Sequence, residues 1–145
     1  HFMAHSLGKT ILTAGKKLSN VYFDGTGGGW TFLDEFHCIG LNHLDGALYT
    51  NSKDVIADGY FTSYGPSGRV LHFGNSNIYI SPDKSHCSYF EISTQPFDFD
   101  AGTSTIHLNN YNNCGYVSFY GGNQTYYKLI CGSPANIYYS NKILR

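Results

Sequence analysis

Charge is what this chain most lacks. Asp, Glu, Lys and Arg make up 13% of its 145 residues, about half the usual share. Ten acids and nine bases leave a formal net charge of −1, with no basic cluster beyond Lys16-Lys17. Counter-ion release needs clustered cations, so nucleic-acid binding is not expected. Long apolar runs are also missing. No stretch approaches the length of a membrane-crossing helix, so membrane insertion is not expected either. Helix formers are scarce, and no window keeps a 3.6-residue apolar period, which predicts negligible helix. The start lacks the charged and apolar regions of a signal peptide, so any such peptide is expected to be already removed. His1-Phe2-Met3 reads as an expression remnant or a genuine mature terminus.

What the chain has instead is aromatic side chains and turn residues. Thirteen Tyr and ten Phe bring aromatics to 17%; with so little net charge, this is not the composition of a disordered chain, which needs few aromatics and high net charge. The length suits one domain, residues 1–145, able to bury roughly two-thirds of its unfolded surface. Ile78-Tyr-Ile-Ser81 and Phe97-Asp-Phe-Asp100 alternate as strands do. Turn chemistry stands at Asp24-Gly25, Gly27-Gly28-Gly29, Asp45-Gly46, Asp58-Gly59, Pro66-Ser67-Gly68 and Gly121-Gly122-Asn123.

A short phrase recurs: Ile11-Leu-Thr-Ala-Gly-Lys16, Leu48-Tyr-Thr-Asn-Ser-Lys53, Ile78-Tyr-Ile-Ser-Pro-Asp-Lys84, Ile106-His-Leu-Asn-Asn110 and Ile137-Tyr-Tyr-Ser-Asn-Lys142. Aromatic pairs or their remnants follow the first four, at Tyr22-Phe23, Tyr60-Phe61, Tyr89-Phe90 and Ser118-Phe119. A further apolar stretch then begins at Trp30, Val70, Phe97 or Tyr126. The reading is three short strands per unit and about a dozen strands in all. Such a pattern suits an antiparallel β-sandwich or, alternatively, a short β-solenoid of about four 30-residue units.

The four cysteines, Cys38, Cys87, Cys114 and Cys131, contain no CxxC pair, so zinc-ribbon and thioredoxin-like readings lack their spacing. An even count in such a chain suggests disulfides and an oxidising compartment. Of three pairings, Cys114–Cys131 with Cys38–Cys87 is favoured because the first closes a short loop. The sequon at Asn123 also points to a secreted glycoprotein.

From Ile80 onward the chain resembles a CUB domain over about 60 residues. The resemblance rests on Ser81-Pro82 leading to Cys87-Ser-Tyr-Phe-Glu-Ile92, on Cys114-Gly-Tyr-Val-Ser-Phe-Tyr-Gly121, on Cys131-Gly132, and on the strand Asn136-Ile-Tyr-Tyr139. It implies an extracellular jelly-roll-like sandwich. Gly115-Tyr116-Val117 stand where that family's calcium-binding aspartate would follow the third cysteine, so no calcium site is implied.

Constellations for catalysis are few. His37-Cys38 and His86-Cys87, with His43 nearby, invite a Cys–His nucleophile or a metal site. Neighbours on a strand face opposite ways, however, and no electropositive setting is visible. Asp98 and Asp100 share a strand face at about 7 Å, within glycosidase range, but no cleft is signalled and they read as a solvated face. Gly25-Thr-Gly-Gly-Gly29 lacks the Lys-Ser/Thr of a phosphate loop. No catalytic residue, metal ligand or cofactor is therefore expected. Tyr and Trp combine buried area with a hydrogen-bond handle, which makes Trp30, Tyr60, Tyr64, Tyr111 and Tyr120 the ligand-binding candidates. Trp30 has a competing place in the core, aligned with Val70, Phe97 and Tyr126. The reading is a secreted, non-enzymatic binding or adhesion module acting on a protein. The alternatives are a carbohydrate-binding module (a lectin) and a self-assembling filament, coat or capsid subunit.

Overall fold

Inward and outward residues alternate along strands such as Asn77–Ile80, Tyr89–Ile92 and Thr105–Leu108, and the strands pair in parallel. The computed structural model describes residues 1–81, 88–109, 117–132, 135–138 and 142–144. In chain order the strands begin with β1 (Lys9–Ile11), β2 (Leu18–Phe23), β3 (Gly29–Phe32), β4 (Phe36–His43), β5 (Ala47–Tyr49) and β6 (Val55–Ser63). They continue with β7 (Val70–His72), β8 (Asn77–Ile80), β9 (Tyr89–Ile92), β10 (Asp98–Asp100) and β11 (Thr105–Leu108). The last are β12 (Val117–Tyr120), β13 (Thr125–Tyr126), β14 (Lys128–Cys131), β15 (Ala135–Tyr138) and β16 (Lys142–Ile143). No helix occurs among the described residues.

Two sheets carry the architecture. The larger holds β2, β4, β6, β8, β9, β11, β12, β14 and β15; the smaller runs β1-β3-β5-β7-β10, and β13 pairs separately with β16. The chain passes back and forth between the two large sheets, and neighbours within a sheet are one circuit of chain apart. Trp30 pairs Leu48, Leu48 pairs Leu71, and Leu71 pairs Phe99, all in parallel register. This is a parallel β-solenoid. The antiparallel, CUB-like sandwich is thereby corrected: spatial neighbours are a circuit apart and no two-residue hairpin joins them. Nor are the circuits the even units that the recurring phrase suggests. The steps from Trp30 to Leu48, to Leu71 and to Phe99 lengthen in turn. The Trp30 stack runs through those residues, not through Val70 and Phe97.

Inward residues stack from coil to coil. Val21, Leu41, Phe61, Phe90 and Phe119 share one register and are buried. Phe61 lies on Phe90 at 5.3 Å between ring centroids, and Phe90 on Phe119 at 5.2 Å. A second buried row is Phe36, Val55, Ile78 and Ile106. Each such side chain contributes roughly 1.5–3 kcal/mol by leaving water. β6 spans the sheet in one piece, pairing β8 through Val55–Ala57 and β9 through Tyr60–Ser63. Asp58-Gly59, expected as a turn, lies inside β6, where the register against β4 shifts between Cys38 and Gly40. It is a bulge, in which one strand carries an extra residue without reversing.

The disulfide expectation is also corrected. Cys38 is a free, buried thiol on β4, and Cys131 is free and exposed on β14. Neither Cys38–Cys87 nor Cys114–Cys131 is formed; Cys87 and Cys114 themselves lie outside the described residues. Burial pushes the Cys38 thiol up to about 12, with Asp58 adding to the effect. Cys38 and Cys131 thus behave as a small core residue and a surface residue, and the argument from them for an oxidising compartment lapses.

Candidate ligand-binding site

Leu48 and Leu71 point into the solenoid, so the residues beside them on each strand point out. Thr31, Tyr49, His72 and Asp100 follow one another in register across β3, β5, β7 and β10. Adjacent members of such a row stand about 4.8 Å apart. The Tyr49 and His72 rings meet edge to face at 5.4 Å. His72 Nε2 lies 3.1 Å from Asp98 Oδ1. The turn after β5 closes one side of this row. Asn51 and Ser52 there adopt φ of 54° and 58°, a left-handed conformation that costs a non-glycine residue energy and survives only when the surroundings fix it. Three contacts do so. Asn51 Nδ2 donates to the Phe32 carbonyl at 3.1 Å, the Asn75 N–H donates to Ser52 Oγ at 3.3 Å, and the buried Thr50 hydroxyl donates to the Phe73 carbonyl at 2.7 Å. Gly74, at φ 60°, completes the wall; a Cβ there would stand 2.8 Å from Ser52 Oγ.

The result is an open cleft of about 380 Å³ lined by Thr31, Tyr49, Asn51, Ser52, His72 and Gly74. Its donors and acceptors are hydroxyls, a carboxamide, a phenol and an imidazole. Among the described residues no Lys or Arg lines it. The carboxylates of Asp98 and Asp100 stand at its edge, on the strand paired with β7.

The outer face of the large sheet carries a second group of rings. Tyr60 lies across Gly40, where a Cβ would collide with the phenol ring, so only glycine admits it. Tyr60 stacks on Tyr89 at 5.3 Å, and Asn42 Nδ2 donates to its hydroxyl at 3.3 Å. Tyr79 stacks on His107 at 4.5 Å. These rings give their faces to one another along the solenoid axis. Burial raises the Tyr89 phenol, helped by Tyr60 and Glu91, and burial lowers His107. His37 and Lys17 both reach Asp58 Oδ2, at 3.0 and 2.5 Å.

The residues expected to bind ligand are scattered. Trp30 is 2% exposed inside the solenoid, tilted against Phe23, and offers a ligand no ring surface. Tyr60 and Tyr120 share the large sheet with β9 between them. Tyr64 is exposed on the loop after β6, its N–H donating to the His43 carbonyl at 3.0 Å. Tyr111 lies outside the described residues. Asn123 is exposed in the turn after β12 at φ 62°. Sequence reasoning misses the cleft residues, although Tyr49, Asn51 and Ser52 sit in one copy of the recurring phrase.

A third cluster is wholly internal. His43 is buried, with Nε2 3.0 Å from the Gly46 carbonyl and Nδ1 3.0 Å from Ser63 Oγ. The carbonyl can only accept, so Nε2 carries the proton and Nδ1 accepts from the serine hydroxyl. Burial drives His43 down to about 4, with the Gly46 hydrogen bond resisting and the Arg69 charge adding to the fall. Arg69 is fully buried, and its three guanidinium nitrogens have no hydrogen-bond partner among the described residues. Its Cζ stands 4.5 Å over the Phe97 ring. A desolvated cation–π contact contributes about 2 kcal/mol, against a penalty of several kcal/mol for burying an ion.

No protein-family model matches this chain, and comparison with curated proteins and with solved structures finds no match either.

Proposed function

We propose that this chain is a non-enzymatic glycan-binding β-solenoid whose sugar site is the cleft on the outer face of the smaller sheet. The carrying observation is the chemistry of its lining. A sugar presents hydroxyls that donate and accept, together with patches of C–H surface. Thr31, Asn51, Ser52 and His72 supply matching polar groups, and Tyr49 supplies an aromatic ring at the centre of the row. The volume falls in the usual range for small-ligand sites. The side chains stand on paired strands and a fixed turn, so little ordering is needed on binding. With carboxylates at the edge and no Lys or Arg among the described lining residues, neutral sugars are favoured over acidic ones.

The test is a glycan array probed with the intact chain, followed by calorimetry on any sugar it retains. Tyr49→Ala and His72→Gln should each weaken binding at least tenfold while the far-ultraviolet spectrum stays that of a β protein. A blank array, or unchanged affinity in Tyr49→Ala, would refute the reading.

A further inference from the structure

A different part of the molecule carries an inference independent of the cleft. Between the end of β6 and the start of β7 the chain crosses a corner through Tyr64-Gly65-Pro66-Ser67-Gly68, all exposed, and then dips to Arg69, which is fully buried. Nε, Nη1 and Nη2 of Arg69 meet no acceptor among the described residues. The groups nearest in charge are already engaged. Asp45 takes the Gly46 N–H on one oxygen at 2.7 Å and the Thr26 hydroxyl on the other at 2.6 Å. His43 commits both ring nitrogens to Ser63 and Gly46. Phe97 covers one face of the guanidinium at 4.5 Å. That contact leaves the edge of the plane, where the N–H groups point, unused. Glycine at 65 keeps the cover thin. A Cβ there would stand 3.1 Å from Arg69 Nη1 and would collide with the Leu44 carbonyl, so no bulkier residue fits between the guanidinium and the loop.

We propose that Arg69 is the floor of an anion site that takes a carboxylate, admitted when the Tyr64–Gly68 loop swings away from the corner. A buried cation whose guanidinium donors meet no acceptor among the described residues is a costly arrangement for a fold to keep. A planar carboxylate restores two parallel N–H···O bonds to the free edge of the guanidinium while Phe97 holds its face. Among the described backbone hydrogen bonds, the loop is tied by the Tyr64 N–H to the His43 carbonyl and by a long bond, 3.4 Å, from the Arg69 N–H to the Pro66 carbonyl. The carboxylate belongs either to a small organic acid or to an acidic sugar residue; both present the same planar group.

The experiment titrates the intact chain with sodium acetate at constant ionic strength, using sodium chloride and acetamide as controls. The readouts are the thermal midpoint and the Arg69 Nε–H resonance. Acetate should raise the midpoint by mass action and shift the Nε–H signal to a plateau, while chloride and acetamide do neither. Arg69→Met should abolish the rise. Should that variant fail to fold, the wild-type Nε–H titration decides by itself. D-Glucuronate with D-glucose as its control then separates the sources. Binding at least tenfold tighter than acetate assigns the site to an acidic sugar, and equal binding assigns it to free organic acids. Equal responses to acetate and chloride, an Nε–H signal unmoved by acetate, or a rise retained in Arg69→Met would overturn the proposal.

Discussion

His43 makes the stability of this fold depend on pH in a narrow window. In the folded chain its titration lies at about 4, and in the unfolded chain near 6.5. Well above pH 6.5 the imidazole is neutral in both states and has no effect on the balance. Between those values the unfolded chain takes up a proton that the folded chain refuses, so stability falls as pH falls. At ~1.4 kcal/mol per unit the full difference is about 3 kcal/mol, of which about 2.5 kcal/mol is lost by pH 4.5. The groups facing His43 are the Ser63 hydroxyl, the Gly46 carbonyl, the Arg69 guanidinium and the Asp45 carboxylate. Other groups titrate as well. His107 is lowered by burial and adds a change of the same sign. The Thr13 N–H bond holds Asp34 below the ordinary carboxylate range, so its contribution fades at lower pH. A variant isolates the His43 share. His43→Gln keeps a donor for Gly46 and an acceptor for Ser63 but has no proton to gain. Urea unfolding at pH 7.5, 6.0, 5.0 and 4.5 should show the wild type losing about 2.5 kcal/mol more than the variant over that range. Two curves that fall in parallel would refute the assignment of the slope to His43.

Burial sets two other expectations. Trp30→Ala should cost roughly 3–5 kcal/mol through the cavity it leaves between sheet and core, read by denaturant unfolding; native tryptophan emission as red as that of the unfolded chain would contradict its enclosure. In native protein a thiol reagent should modify Cys131 readily and Cys38 only after unfolding, because burial holds the Cys38 thiol up at about 12; equal native rates at the two, located by peptide mapping, would count against the packing of β4.

Much of the strand content was legible, because inward and outward residues alternate in the sequence as they do in the structure. Ile78 and Ile80 face in while Asn77 and Tyr79 are half-buried outside, as the alternation requires. The direction of pairing was not legible. A two-residue period is the same for parallel and antiparallel neighbours when one face meets the core. The deciding signal is the length of the circuit, and it is obscured because the corners vary in length. Asp58-Gly59 misleads for a local reason: the dipeptide that favours a hairpin turn also suits a bulge within a long strand. The cleft is hidden differently. Tyr49 touches His72, and His72 touches Asp98, each across a whole circuit of intervening chain. Only the register of the coils brings them to one place.

That register also says how the molecule would give way under load. Val21, Leu41 and Phe61 succeed one another at shorter steps along the chain than Phe61, Phe90 and Phe119 do. Each coil leans only on the coil before it and the coil after it, as in other stacked repeats. A pull along the solenoid axis therefore peels one circuit at a time, and each event releases its own length of chain: about 70 Å for the short circuits and about 100 Å for the long ones, at ~3.5 Å per extended residue. The later coils take more residues to complete a circuit of the same stack. The added residues give reach on unravelling and nothing to the spacing of the intact stack.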